Sequence, residues 1–343
     1  MENKYLKWLS GKTQSIYWHD GAQTRGLEEA IQNGAVGATT NPFLIGTALQ
    51  EDFTYWEPLL QTLPQDLHGD ELAEALIGLV TAAVAKRMEV FRGQGKFHGF
   101  CCAQTNPCQP GHTEYIIEEA KRYAAYAENI VVKIPATRSG IEAIEECAAR
   151  GMNVAATVSF TVPQVLAVGA AVQRGIRRAA QNGITPGIGI AVLMVGRLDD
   201  YLRDVGNDTR AAATAADICW AGTAVIKRAY ELFNQRAYDC VLMPAGCRGG
   251  YHITELAGAK MVMSIAPKIA KQLELLDQKD FIEKIHIPVD KAIIDRLLTM
   301  REFRKAYEPD GMTEDEFITF GSCNRTLDQF VNCGWNVLQG IQY

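Results

Sequence analysis

Short apolar runs alternate with longer amphipathic stretches along most of the chain. Parallel strands are buried on both faces and appear as short continuous apolar runs, whereas helices place apolar residues three or four positions apart. The pattern therefore predicts parallel strands joined by helical crossovers. The eight runs that qualify as strands are residues 15–20, 35–41, 97–104, 129–135, 152–158, 187–195, 239–245 and 260–266.

Eight strands, each followed by a helix, favour an α/β fold of the (β/α)8 TIM barrel type over an open doubly wound sheet. No Gly-rich dinucleotide-binding fingerprint follows the first strand, which supports this choice. From about residue 273 the chain becomes polar and helical, without another strand candidate. We expect a single domain over residues 1–343, with the barrel over 14–272 and a helical C-terminal extension over 273–343 packed on the barrel.

The composition is that of a globular protein with a large core, since 48% of the 343 residues are hydrophobic and 22% are charged. A net charge of −6 argues against a nucleic-acid or membrane surface but allows a local basic pocket for a small anion. The N-terminus lacks the apolar core of a signal peptide, and no segment has the roughly 20 apolar residues of a membrane-spanning helix. We therefore expect a cytoplasmic protein that binds neither nucleic acid nor membranes.

A cluster of cysteine and histidine residues raises the alternative of a zinc site. It contains His98, Cys101, Cys102, Cys108 and His112. The spacing fits no common zinc pattern, and the adjacent Cys101 and Cys102 should point to opposite faces of a strand. A cluster of core and loop residues is the better interpretation, so we expect no metal site.

A lysine interrupts the apolar strand NIVVKIP at residues 129–135. Side chains alternate across a strand, so Lys133 points into the barrel if its apolar neighbours pack under the helices. Burial lowers the pKa of an amine, and a neutral amine is a nucleophile that forms a Schiff base with a ketone. A structural ion pair with Asp20 across the barrel explains the same residue about as well, and the spacing alone does not decide between them.

Four segments, in order along roughly the first 270 residues, resemble the signatures of the transaldolase family. They are GATTNPFLI (37–45), IVVKIPATRSGIEAI (130–144), VGRLDDYL (195–202) and AGCRGGYHITELAGAKMVMSIAP (245–267). Each falls at a strand end predicted independently. The resemblance implies a (β/α)8 barrel and cofactor-free Schiff-base chemistry with Lys133 as the nucleophile, which favours the catalytic lysine over the ion pair.

The resemblance also implies roles for residues at the first, second and fifth strand ends. Asp20 matches the aspartate that takes a proton from the substrate C4 hydroxyl as the C3–C4 bond breaks. Asn41, in the TTNP segment, matches the asparagine that binds hydroxyls of the dihydroxyacetone part, and we include its neighbour Thr40 in the substrate-binding set. Thr157 matches the threonine that positions a water near the Schiff base.

Two arginines of the resemblance point to a phosphate-binding end. Arg197 and Arg248 match the residues that hold the substrate phosphate in the family. Guanidinium suits this task because it stays charged and bonds oxygens two at a time. In the family, a serine assists these arginines, and this chain has Val192 in its place. At a second position that is small and polar in the family, this chain has Gly246.

The chain departs from the family at the proton-transfer positions. Typical transaldolases have a glutamate after the third strand that activates the water, but this chain has Gln104, whose amide cannot exchange a proton as a carboxylate does. The fructose 6-phosphate aldolase branch also has glutamine there, with a tyrosine near the sixth strand. Typical transaldolases have a phenylalanine at that second position, whereas this chain has Met194, which we include in the substrate-binding set. Ser159 and Cys102 are candidate substitutes in the relay, whereas His19 should point away from Asp20.

The expected function is transfer of a dihydroxyacetone unit from a ketose phosphate to an aldose phosphate through a Schiff base on Lys133. One alternative is an aldolase that releases dihydroxyacetone to water, which Gln104 favours and the missing tyrosine and longer chain disfavour. Another is a sugar-phosphate-binding protein without turnover. Small sugar phosphates are the expected partners in all three, and a homo-oligomer is compatible with the sequence.

Overall fold

The computed structural model describes residues 2–342. Its strands are β1 (Ile16–Asp20), β2 (Gly37–Thr39), β3 (Phe100–Gln104), β4 (Ile130–Pro135), β5 (Val154–Thr157), β6 (Gly189–Leu193), β7 (Val241–Pro244) and β8 (Val262–Ile265). They are parallel and form one sheet in the order β7-β6-β5-β4-β3-β2-β1-β8. The two end strands, β7 and β8, are also in contact. The sheet is therefore a nearly closed barrel, as the sequence predicts.

Helices separate successive strands and continue beyond β8. Those of the barrel are α1 (Lys4–Lys12), α2 (Thr24–Gln32), α3 (Pro42–Glu51), α4 (Phe53–Leu60), α5 (Gly69–Met88), α6 (Thr113–Ala124), α7 (Arg138–Ala149), α8 (Val162–Gln181), α9 (Val195–Thr209), α10 (Ala215–Ile218), α11 (Ala221–Arg236), α12 (Tyr251–Thr254) and α13 (Pro267–Leu273). The later helices are α14 (Lys291–Leu297), α15 (Arg301–Tyr307), α16 (Gly321–Phe330) and α17 (Asn336–Gln339), with a π-helical turn at Val331–Trp335. None of the helices in the described part of the chain is long and apolar enough to cross a membrane.

All eight predicted strands are confirmed, and each is shorter than its apolar run. The flanking residues, such as Ala35, Phe97 and Met261, are buried in loops beside the ladder without belonging to a strand. Apolar character reports burial, not strand pairing, which explains the excess length of the predicted runs.

Side-chain caps begin three of the helices immediately after the strand ends. Asn41, Thr137 and Thr161 each accept a hydrogen bond from the backbone N–H three residues further on, at the start of α3, α7 and α8. Proline follows two of these caps, at Pro42 and at the second position of α8. Such caps satisfy orphan N–H groups and fix where the chain turns from strand to helix. The ends of β2, β4 and β5 are therefore held in place by local sequence.

The helical C-terminal extension is confirmed and packs over the barrel at two places. Near α8 and α9, the ring of Phe320 lies 6.4 Å from that of Phe160 and 5.2 Å from that of Tyr201. Beyond the π-helical turn, the buried Trp335 donates its Nε1–H to Asp70 of α5 at 2.7 Å. The extension therefore reaches from the β5–β6 side of the barrel to the helices that follow β2.

Candidate active site

Lys133 lies in the middle of β4 and its side chain is inside the barrel. The residue is 5% exposed, and its Nζ donates to the backbone carbonyl of Thr40 at 3.3 Å. On the neighbouring strands it is in register with Gln104 of β3 and Ala155 of β5. The amine thus sits at the centre of the β2–β5 segment of the barrel.

The surroundings of Lys133 favour the neutral amine. Burial is the main cause that lowers its pKa, and the cation of Arg197 adds to the effect. The Cys102 thiol and the Asp20 carboxylate act in the opposite direction. Within residues 2–342 no ion pair joins Lys133 to Asp20, so the nitrogen is not held by a carboxylate.

Asp20 ends β1 and is oriented by the hydroxyl of Thr39, which itself lies beside the hydroxyl of Ser264. Its Oδ1 accepts a hydrogen bond from Thr39 Oγ1 at 2.7 Å, and Thr39 Oγ1 lies 3.0 Å from Ser264 Oγ of β8. The other carboxylate oxygen, Oδ2, makes no hydrogen bond within the described residues. One oxygen therefore anchors the carboxylate while the other is available to a ligand. Thr39 and Ser264 lie inside the quoted segments 37–45 and 245–267, but sequence reasoning gave neither of them a role.

Polar side chains on both sides of Lys133 are buried without a partner in the described part of the chain. Both amide atoms of Gln104, the hydroxyl of Thr157 and the hydroxyl of Ser159 have no hydrogen bond, and all three residues are 0% exposed. Buried polar groups are nearly always paired, so these atoms indicate space for ordered water or for a polar part of a ligand. Gln104 and Thr157 belong to the strands on either side of β4.

A strained residue separates the two unpartnered hydroxyls. Val158, between Thr157 and Ser159, has a φ of 51°, a left-handed conformation that costs energy for a β-branched residue. Its carbonyl accepts hydrogen bonds from Gln164 Nε2 at 3.1 Å and from Cys323 Sγ at 3.5 Å. Contacts from α8 and from α16 thus hold the turn that presents Thr157.

The two predicted substrate-binding residues after β2 have structural partners. The hydroxyl of Thr40 donates to the carbonyl of Cys102 at 2.7 Å, so Thr40 contributes its own carbonyl to the Lys133 amine. Asn41 Oδ1 caps α3 by accepting from Leu44 N–H at 3.0 Å. The Asn41 amide nitrogen has no partner within residues 2–342, and it is the atom left for a ligand.

The predicted phosphate-binding arginines converge beyond β6 and β7. Arg197 Nη1 donates to Gln329 Oε1 of α16, and the Arg197 guanidinium carbon lies 5.3 Å from the centre of the Phe330 ring. Burial, followed by the charge of Arg248, lowers the pKa of Arg197 to about 10, which still leaves it charged at neutral pH. Arg248 Nε donates to Asp200 at 2.6 Å. Two guanidinium groups and one carboxylate leave a net positive charge that suits an anion.

Two glycines allow the arginine-bearing turns to approach each other. A Cβ on Gly196 would lie 2.5 Å from the carbonyl oxygen of Gly246 and 2.6 Å from Arg248 Cγ. Gly246 has a φ of 61°, which a residue with a side chain adopts only at a cost. The buried Met194 occupies the position before the first residue of α9, and its methyl carbon lies 3.9 Å from the position of a Cβ on Gly246. Gly196 was not singled out in the sequence.

A buried acid–imidazole pair supports the turn that carries Arg248. The backbone N–H of Arg248 donates to His252 Nδ1 at 3.2 Å, so the ring proton is on Nε2, which donates to Asp199 Oδ2 at 2.9 Å. The other carboxylate oxygen accepts from Gly222 N–H at 2.7 Å. Burial raises the pKa of Asp199, against the effect of the His252 hydrogen bond. Both residues lie inside the quoted motifs, but the sequence does not predict that they contact each other.

Only Cys102 of the cysteine–histidine cluster lies near the site, and His19 faces away from it. Across residues 2–342, no group of three or more His, Cys, Asp or Glu side chains is arranged to hold a metal. His19 faces a cleft between the strand and helices α1, α2 and α13, and both its ring nitrogens lack a partner in the described part of the chain. Burial lowers its pKa to about 4. Cys102 does lie near Lys133 and Asp20, where burial raises its pKa to about 12 and keeps it a thiol.

A family model for transaldolase/fructose-6-phosphate aldolase matches residues 17–317, which include every strand except the first residue of β1. This chain belongs to that family. The match also includes Lys133, Asp20 and both arginines, but it ends before α16, the helix that carries Gln329.

Curated relatives share the family but not the full length. Transaldolase from Renibacterium salmoninarum is 29% identical over 243 residues, which are 66% of this chain and 63% of the relative. Transaldolase from Neisseria meningitidis is 29% identical over 200 residues, 57% of this chain and 56% of the relative. Transaldolase 1 from Streptomyces avermitilis is 30% identical over 248 residues, 67% of this chain and 64% of the relative. The chain thus spans about three-fifths of the length of the curated relatives it matches.

Proposed function

We propose that this protein transfers a dihydroxyacetone unit from a ketose phosphate to an aldose phosphate through a Schiff base on Lys133. The observation that carries the proposal is the buried Lys133 amine. Among the described residues 2–342 it has no carboxylate partner, and the neighbouring side chains of Gln104 and Thr157 make no hydrogen bond. The arginine pair at one end of the same barrel mouth suits the phosphate of such a substrate.

In the first half of the reaction, the neutral Lys133 amine attacks the C2 ketone, and loss of water gives a protonated imine. Asp20 Oδ2 takes the proton of the C4 hydroxyl, and the electrons of the C3–C4 bond move into the imine. The aldose leaves as an aldehyde, and the three-carbon unit stays on Lys133 as an enamine. The protonated imine is the electron sink, so this chemistry requires neither metal nor cofactor.

In the second half, the enamine attacks the aldehyde of an acceptor aldose phosphate, forming a new C3–C4 bond. Asp20 returns the proton to the oxygen that becomes the C4 hydroxyl. Water held by Gln104 and Thr157 then adds to the imine, and the ketose leaves. In this step the Asp20 carboxylate accepts a proton from the water, because the amide of Gln104 orients the water but cannot accept its proton.

The remaining site residues bind the substrate in this proposal. Arg197 and Arg248 hold the phosphate, and the Asn41 amide nitrogen donates to hydroxyls of the dihydroxyacetone part. Thr40 acts through its carbonyl, which receives the Lys133 amine. Met194, whose methyl carbon lies beside the Gly246 turn, supplies an apolar contact near the arginines. Phosphorylated sugars are retained inside cells, so we place the protein in the cytoplasm.

An aldolase that releases dihydroxyacetone is the second candidate, and the amide at Gln104 favours it. Such an enzyme protonates the enamine and hydrolyses the imine without an acceptor. The two reactions share the first half and the same Lys133 intermediate. They differ in whether product formation continues when no acceptor aldehyde is present.

Turnover of fructose 6-phosphate tests the proposal and separates its rivals. With a four-carbon aldose phosphate as acceptor, the wild-type protein should form a seven-carbon ketose phosphate and glyceraldehyde 3-phosphate. Without the acceptor, the formation of glyceraldehyde 3-phosphate should stop after about one equivalent per Lys133. Continued release of free dihydroxyacetone would instead support the aldolase. Phosphate-dependent stabilisation without any product would support a binding protein.

Two lysine variants provide the matched comparison. Lys133→Met should abolish product, a loss of at least ~1,000-fold, because no other group supplies the imine nitrogen. Lys227 is also buried, at 7% exposed, but it donates to the carbonyls of Lys284 and Ile287 away from the barrel mouth. Lys227→Met should reduce stability and keep the reaction, and equal loss in both variants would argue against the catalytic role of Lys133.

A further inference from the structure

The C-terminal helix α16 contributes a side chain to the phosphate-binding end. Gln329 lies 132 residues after Arg197, and its Oε1 accepts a hydrogen bond from Arg197 Nη1. The next residue, Phe330, is 1% exposed and packs its ring against the same guanidinium, 5.3 Å from centre to carbon. This part of the chain lies outside residues 17–317, the stretch that the family model matches.

Arg197 is partly buried, and its side-chain partner is a neutral amide, whereas a guanidinium removed from water ordinarily pairs with a carboxylate. The nearby carboxylate of Asp200 accepts instead from Arg248 at 2.6 Å and from Arg203 at 3.1 Å. The Arg197 charge is therefore oriented without being neutralised. Such a pairing preserves attraction for an anion, whereas a carboxylate at position 329 would compete with it.

The amide of Gln329 has a second function available. Because Arg197 is a donor, the oxygen of the amide must face it, and the NH2 group faces away. Within residues 2–342 that nitrogen has no hydrogen-bond acceptor. The free NH2 group of Gln329 can therefore donate a hydrogen bond to an oxygen of an anion that Arg197 binds.

The segment after Gln329 fixes where this amide lies. A π-helical turn follows at Val331–Trp335, and such turns are frequent at functional sites. Trp335 Nε1 donates to Asp70 at 2.7 Å, and a Cβ on Gly334 would lie 2.8 Å from the backbone nitrogen of Phe43. The end of α16 is thus anchored to α3 and α5, and the amide is presented from a held backbone.

We propose that Gln329 is a specificity-determining residue for the phosphate group of the substrate. Its Oε1 holds Arg197 in position, and its Nε2 donates to a phosphate oxygen that Arg197 and Arg248 also bind. The identity of the ligand as a sugar phosphate rests on the proposed function, while the phosphate contact itself does not.

The test compares two glutamines of the extension. Gln329→Glu places a carboxylate against Arg197, and Gln329→Leu removes both hydrogen bonds. The matched control is Gln339→Leu, since Gln339 Nε2 donates to Asp70 at 2.8 Å away from the arginines. For each protein, KM and kcat are measured with fructose 6-phosphate, and the affinity for inorganic phosphate is measured by calorimetry and by the shift in Tm.

We expect Gln329→Glu to weaken phosphate binding and raise KM by at least ~10-fold, equal to about 1.4 kcal/mol. Gln329→Leu should weaken phosphate about 3-fold to 10-fold, with kcat changing less than KM in both variants. Gln339→Leu should stay within about 2-fold of the wild type for phosphate, because its bond to Asp70 is only one exposed contact. A purely structural amide would instead lower Tm without changing phosphate affinity relative to the control.

Unchanged phosphate affinity in folded Gln329→Glu would overturn the inference. The calorimetric arm keeps this outcome separate from the failure of the proposed function. If wild-type protein binds phosphate in a Gln329-dependent way but forms no product, the function is wrong and the inference stands. If product forms and the affinity for phosphate is the same in the wild type and the Gln329 variants, the inference alone is wrong.

Discussion

The two ends of the candidate site are built in different ways. At the Lys133 end, side chains come from strands in register, and Gln104 and Thr157 are buried without hydrogen-bond partners among residues 2–342. At the end proposed to bind phosphate, here called the phosphate end, Arg197 and Arg248 stand on segments beyond the strands, and each has a protein partner. The first end consists of polar atoms that make no hydrogen bond within residues 2–342, and the second consists of two guanidinium groups held by other side chains. Reaction chemistry should therefore be sensitive to Lys133 neighbours, and affinity to the arginine neighbours.

The largest effect at the phosphate end is expected for Arg197→Ala. This change should lower kcat/KM for fructose 6-phosphate about 100-fold or more, because charge-assisted hydrogen bonds to phosphate are the strong ones. Arg248→Ala should cost less, about 10-fold, since its side chain is 41% exposed and already paired with Asp200. Steady-state kinetics with fructose 6-phosphate and with fructose check the split, because fructose lacks the phosphate. Equal losses for both sugars would contradict a separate phosphate end.

At the Lys133 end, Gln104→Glu should change the pH dependence of the reaction. A carboxylate beside Lys133 favours the ammonium form and raises its pKa, which removes the neutral nucleophile at low pH. The acid limb of the kcat/KM profile should move to higher pH by about one unit or more, so activity near pH 6 falls about 10-fold. Gln104→Leu, which adds no charge, should lower activity without moving the limb. If the acid limb of the kcat/KM profile does not move in Gln104→Glu, the ionisation of Lys133 does not determine that limb.

Behind the Lys133 end, Glu119→Gln should alter stability more than chemistry. Both Glu119 carboxyl oxygens accept from the Asn106 N–H, at 3.0 and 2.9 Å, and burial raises the pKa of Glu119 from 4.5 to about 8. A raised folded-state pKa gives stability that is present below pH 4.5 and is lost as the pH rises through about 8. The free energy of unfolding of the wild type should therefore decrease across this window by up to about 1.4 kcal/mol per pH unit, which thermal unfolding at several pH values would measure. The variant should show a flatter profile, and an identical decline would assign it to other groups.

The smallest effect is expected for Gly246→Ala. The φ of 61° makes a side chain costly there, by about 1 kcal/mol, although a Cβ would lie 3.6 Å from Arg197 Cγ in ordinary contact. We expect a Tm decrease of a few degrees and a KM change of less than about 3-fold. Gly111→Ala is the matched control, since its Cβ would meet nothing within 4 Å and its φ is ordinary. A large KM change in Gly246→Ala alone would mean that the arginines tolerate no movement of this turn.

The difference between the two ends also explains what could be predicted from the sequence. The barrel and the position of Lys133 follow from local patterns, namely apolar runs, alternation along a strand and the order of the motifs. The partners of Arg197 do not, because Gln329 is 132 residues away and the contact depends on how the extension packs. The hydroxyl pair at Asp20 was missed for the same reason, since Thr39 and Ser264 are 225 residues apart. Thr40 matched a binding motif, yet its hydroxyl is engaged by the backbone of the neighbouring strand.

The most direct test of the Lys133 end is intact mass and peptide mapping after borohydride reduction in the presence of fructose 6-phosphate, with Lys133→Met alongside. We expect a three-carbon adduct on Lys133, absent from the variant and depleted when an acceptor aldose phosphate is added, because the enamine is then consumed. A six-carbon adduct alone would show imine formation without cleavage and would contradict the role of Asp20. No adduct on Lys133 in protein that binds phosphate would contradict the Schiff-base mechanism itself.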